Sequence, residues 1–86
     1  MSRQEKALAR VLRGTSDANI GFADLCDLLT SLGFSVRVRG SHHIFSRDDI
    51  EEILNLQSKG SNAKAYQVKQ VRQVILKYGL ARTNDE

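Results

Sequence analysis

The sequence predicts an α+β domain: two helices, an antiparallel three-stranded meander and a closing helix. Two observations carry this. The apolar spacing changes from a helical period to strict alternation at Phe34, and the dipeptide Gly40-Ser41 stands between two alternating runs as a hairpin signal. A third bounds the size, because 86 residues make room for one domain with one modest core.

The elements follow in order. Residues 2–13 are good helix formers with Ala7, Leu8, Val11 and Leu12 at helical spacing, and Gly14 is a stop. A polar break covers residues 15–19. A second helix is expected over 22–32, with Phe22, Leu25, Leu28, Leu29 and Leu32 on one stripe and Gly33 as its cap. Cys26 lies beside that stripe and reads as a small core filler, since no basic residue adjoins it to activate a thiolate. Residues 34–39 alternate as a half-buried strand, 42–46 form a second, and 47–49 are a turn. A third strand is expected over 52–57, a loop over 58–62, and a last helix over 65–78 on the stripe Val68, Val71, Val74, Ile75 and Tyr78.

Composition excludes several function classes. Hydrophobic residues at 41% and charged residues at 27% are ordinary for a globular chain. The longest apolar runs are only a few residues, far short of the ~20 that span a bilayer. The N-terminus lacks the apolar stretch of a secretory signal. A single cysteine builds neither an internal disulfide nor a thiolate metal site, and these points together suit a reducing cytoplasm. The net charge is +3, but its distribution says more. Between Phe34 and Leu80 stand eight basic residues against four acids, and the acids all crowd into positions 48–52. That half suits a polyanionic partner such as nucleic acid.

The hairpin sorts its side chains by counting outward from Gly40-Ser41. A type II′ turn with Gly first pairs Arg39 with His42, Val38 with His43, Arg37 with Ile44 and Val36 with Phe45. Phe34, Val36, Val38, His43 and Phe45 then share the face toward the helices. Arg37, Arg39, His42 and Ile44 share the open face. One imidazole therefore packs and the other stands beside two arginines. An imidazole gives or takes a proton near neutral pH, and a guanidinium grips phosphate with two parallel hydrogen bonds. RNA carries a 2′-OH that a base can turn against the adjacent phosphate, so this pairing is a minimal kit for RNA cleavage without a metal. Taken alone, an exposed strand histidine is more often a plain polar residue. A metal site is not expected: His42 and His43 point to opposite faces, and no thiolate or carboxylate completes a set.

Leu32-Gly33-Phe34, the run Arg39-Gly40-Ser41-His42-His43-Ile44-Phe45 and the closing Ile75-Leu76-Lys77-Tyr78-Gly79-Leu80 resemble the HicA family of bacterial toxins. The resemblance covers residues 19–80, leaving 2–13 as an added N-terminal helix and 81–86 as a tail of the same single domain. It implies a fold like the double-stranded-RNA-binding domain, ordered α-β-β-β-α. It implies an mRNA interferase, the toxin component of a type II toxin-antitoxin system, working without a cofactor and neutralised by a HicB-type antitoxin that covers the active face. The family's catalytic histidine directly follows the Gly-Ser turn and corresponds to His42. Arg37 and Arg39 would then hold phosphate, Gly40 and Ser41 would set the turn, and Lys59, Lys64 and Lys69 are candidate RNA-backbone contacts. Many relatives carry a proline and a further histidine at the end of strand three; this chain has no proline and reads Leu54-Asn55-Leu56-Gln57 there. Two other readings are a non-catalytic RNA-binding module of the same fold and a domain whose sheet face docks a protein partner. Retained binding without cleavage would distinguish the first of these.

Overall fold

The structure is a computed structural model that describes residues 2–81. Three helices and a four-stranded antiparallel sheet follow in the order α1 (Arg3–Arg13), a 3-10 turn (Asp17–Asn19), α2 (Phe22–Ser31), β1 (Ser35–Arg39), β2 (His42–Arg47), β3 (Ile50–Lys59), β4 (Asn62–Ala63) and α3 (Ala65–Tyr78). The strands lie side by side in sequence order. The tail expected at 81–86 lies, apart from Ala81, outside the described residues.

Helix α1 begins on a reciprocal cap. The Ser2 hydroxyl accepts from the Glu5 amide, and the Glu5 carboxylate accepts from the Ser2 amide. Its apolar stripe buries Ala7 and Val11 with Leu25, Leu28 and Leu29 of α2 and with Val68, Val71, Val74 and Ile75 of α3 in one core. The sheet contributes Phe45, Leu54 and Leu56 from its inner face. Arg72 ties the helical layer together. Its guanidinium donates to the Val11 carbonyl at 3.1 Å and grips both carboxylate oxygens of Asp17 at 2.9 and 3.2 Å. The ion pair is largely shielded and holds the arginine in its charged form still more firmly than usual.

The β1–β2 register is the one the hairpin count predicts, from Val36 opposite Phe45 to Arg39 opposite His42. Gly40 has φ 58°, and among the described residues only glycines take a positive φ, so Ser41 does not, the pattern of a type II′ turn.

Two expectations are corrected. The sheet has four strands, not three, because β3 runs on to Lys59 and turns back through Gly60-Ser61 into β4. Gly60 sits at φ 64°, repeating the chemistry of Gly40. A strand of two residues has no periodicity to read, and it persists because both sides are paired. Ala63 N–H donates to the Ile20 carbonyl at 2.8 Å, and Phe22 N–H donates to the Ser61 carbonyl at 2.9 Å, opposite the pairing with β3. The second correction concerns Val36 and Val38, expected under the helices but 47% and 57% exposed. Their parity is right. β1 is the outermost strand, and the helical layer stops short of it.

Candidate nucleic-acid interface

His42 opens β2 immediately after the Gly40-Ser41 turn and projects from the outer face of the sheet. The pairing of β2 with β3 sets His42 opposite Gln57 and Ile44 opposite Asn55, so Asn55 and Gln57 share that outer face. Nδ1 of His42 lies 2.9 Å from Oδ1 of Asn55. A carboxamide oxygen only accepts, so in this contact Nδ1 is the donor, and a neutral ring bonded this way keeps its lone pair on Nε2.

The support around this pair is layered. The Gln57 carboxamide donates to the Ser41 hydroxyl at 2.9 Å and accepts from the Lys64 ammonium at 2.9 Å, joining the turn to β3 and to the start of α3. Gln67, the buried polar side chain of α3, takes the place of a missing strand. Its oxygen accepts from the Gln57 amide at 2.9 Å and its nitrogen donates to the Asn55 carbonyl at 3.0 Å. Those are the two bonds a neighbouring peptide would make to the free edge of β3 beyond the reach of β4. The same nitrogen reaches the Tyr66 hydroxyl at 3.3 Å.

The expected residues meet different fates. Arg37 and Arg39 share the outer face with His42, and Arg39 stands directly across the ladder from it. Both are exposed and make no side-chain hydrogen bond to a described residue. Gly40 and Ser41 form the turn, and the Ser41 hydroxyl is engaged by Gln57. Lys64 joins the site through Gln57, and Lys59 lies near it at the end of β3. Lys69 is exposed on α3, and no hydrogen bond links it to the site. Asn55, Gln57, Tyr66 and Gln67 were not foreseen. The alternation Leu54-Asn55-Leu56-Gln57 could have placed the first two, once the β2–β3 register was known.

His43 faces the other way. Its ring meets Phe22 edge-on at 5.0 Å, and its buried Nδ1 has no partner among the described residues. The two histidines therefore cannot share an ion. Among the described residues no three His, Cys, Asp or Glu side chains gather to hold a metal. Burial and then the neighbouring Asp27 push the Cys26 thiol up to about 11, so it is protonated and a poor nucleophile at neutral pH.

The acids sit at the far end of β2 and β3, about 17 Å from His42 by strand rise, and are partly neutralised there. Arg47 pairs with Asp49 at 2.9 Å, and Lys77 with Glu52 at 2.8 Å. The His42 end is left to arginine, lysine and carboxamide groups. No helix of the described residues is long and apolar enough to cross a membrane. No family model, curated protein or solved structure matches the chain.

Proposed function

We propose that this chain is an endoribonuclease of the HicA type, cutting mRNA by acid–base chemistry at His42 and held in check by a HicB-type antitoxin. The observation that carries the proposal is the His42–Asn55 contact, which aims a basic Nε2 outward from a face bearing Arg37 and Arg39. The run from α2 through β1, β2 and β3 to α3 has the helix–three-strand–helix order of the double-stranded-RNA-binding fold, with β4 and α1 added to it.

The chemistry needs no further group. Nε2 of His42 takes the proton of a ribose 2′-OH, and the resulting oxyanion attacks the adjacent phosphorus. The bond from phosphorus to the 5′-oxygen breaks, leaving a 2′,3′-cyclic phosphate and a 5′-oxygen that takes a proton from water; the hydroxide so formed takes back the proton held on His42. Charge builds on the non-bridging oxygens as the new bond forms, and Arg37 and Arg39 offset it. DNA lacks the 2′-OH and is not a substrate by this route.

The test is cleavage of single-stranded RNA with EDTA present, comparing the parent with His42→Ala and His43→Ala, each first shown to be folded by circular dichroism. Loss of about 10²- to 10⁴-fold with His42→Ala supports the assignment, with His43→Ala retaining cleavage wherever it remains folded. A His42→Ala protein that cuts as fast as the parent refutes it. Intact RNA with all three, but salt-dependent binding, favours the non-catalytic module.

A further inference from the structure

Beyond β2, on the side away from the arginines, the outer face sinks into a shallow depression between β3 and α3. It is about 350 Å³ and is lined by His42, Ile53, Asn55, Gln57, Tyr66 and Gln70, with Gln67 at its floor. That is at the lower end of the roughly 300–1,000 Å³ of small-ligand clefts. Its lining contains no lysine, arginine or carboxylate. It offers instead an aromatic ring, an aliphatic wall in Ile53 and several carboxamides.

We infer that this depression is a subsite for one unpaired nucleobase of RNA, with Tyr66 as its stacking platform. The inference rests on the RNA reading above and deepens it. Tyr66 is 59% exposed, and it is the only exposed phenylalanine or tyrosine among the described residues. Solvent exposure of a large ring has a hydration cost, and here the ring is also held, since Gln67 reaches its hydroxyl at 3.3 Å. A ring fixed in advance loses little freedom when a base stacks on it. Beside it, Asn55 has spent its oxygen on His42 and retains its amide hydrogens, while Gln70 brings both donor and acceptor. Carboxamides pair with base edges and have no charge with which to hold phosphate.

The order of groups across the sheet matches that of a nucleotide. β2 lies between β1 and β3, so the row runs from the Arg39 guanidinium through His42 to the carboxamides and Tyr66. A nucleotide presents phosphate, ribose and base in that order. With phosphate on Arg37 and Arg39 and the base on Tyr66, the ribose falls at His42, where its 2′-OH must be for the reaction.

The chain contains no tryptophan, so Tyr66→Trp introduces a single stacking reporter. The ligands are a 2′-O-methylated single-stranded oligonucleotide, which resists cleavage, and an abasic strand of equal length. The expected results are quenching of the Tyr66→Trp emission by the base-bearing strand and not the abasic one, and about tenfold weaker binding of the base-bearing strand by Tyr66→Ala. The abasic strand should bind the parent and Tyr66→Ala alike. If both proteins bind the base-bearing strand equally and the emission does not respond, the subsite is wrong while RNA binding stands. If no strand binds the parent, the RNA reading fails and takes the subsite with it.

Discussion

Nδ1 of His42 and Oδ1 of Asn55 meet at 2.9 Å across neighbouring strands, one step off the direct cross-strand pair. On the proposed nuclease reading Asn55 is a positioning residue: its contact fixes which ring nitrogen carries hydrogen and leaves the other for a substrate proton. Asn55→Ala should lower kcat about tenfold, the value of one hydrogen bond acting on the reacting group, with KM nearly unchanged. Asn55→Asp should restore most of kcat and move the limb of the pH–rate profile that reports the base to higher pH, because a carboxylate favours the imidazolium. Nitrogen NMR of His42 gives a readout independent of turnover: the parent should show the Nδ1–H tautomer, and Asn55→Ala a mixture. A parent already showing a mixture would remove Asn55 from the mechanism.

Gln67 supports that geometry from behind. Truncation to alanine strands the Gln57 amide hydrogen and the Asn55 carbonyl at the edge of β3. The expected cost is about 2 kcal/mol, from two part-buried backbone groups left unpaired. For a domain of this size that corresponds to a fall in Tm of roughly 8–16 °C. Gln67→Glu retains an acceptor for Gln57 but cannot donate to Asn55, so it should rescue only part of the loss. Calorimetry on the three proteins checks the ranking.

The hairpin was legible because a two-residue turn beginning with glycine fixes its own register, and the register fixes the faces. His42 and His43 separate on that count alone, as they do in the fold. Position 67 was not legible. A glutamine one residue before the Val68–Val71 stripe reads as a polar surface position, and only the unpaired stretch of β3 explains its burial. The exposure of Val36 and Val38 was hidden for a related reason: alternation gives a side chain its face, but only tertiary packing decides how far the helices extend over it. The part of the site that lies on α3 was invisible for the same cause, since Tyr66 and Gln70 meet His42 only after the chain has folded.

His43 holds a polar atom where a hydrocarbon would serve. Its ring packs on Phe22, while its Nδ1 is buried without a partner among the described residues. His43→Phe preserves the edge-on aromatic contact and removes the unpaired nitrogen. It should stabilise the protein by about 1 kcal/mol, the lower end of the cost of an unsatisfied buried group. Denaturant unfolding should show a higher midpoint at unchanged slope. A lower midpoint would mean that the nitrogen has a partner that only the histidine can use.

Glu52 gives the acid side of the stability profile. Hydrogen bonds from the Lys77 ammonium at 2.8 Å and the Tyr78 hydroxyl at 2.6 Å hold its carboxyl down at about 2, against an ordinary 4.5. A carboxyl that is more acidic in the folded chain than in the unfolded one stabilises the fold above its unfolded value, and loses that contribution as pH falls toward its folded value. The window is therefore about pH 4.5 down to about 2. Thermal unfolding of the parent and Glu52→Gln should differ by a constant amount at and above pH 5, converge through that window, and coincide near its lower end. Added salt should narrow the gap, since the contact is partly exposed. A gap that stayed constant through that window would show the Lys77 and Tyr78 contacts to be absent in solution.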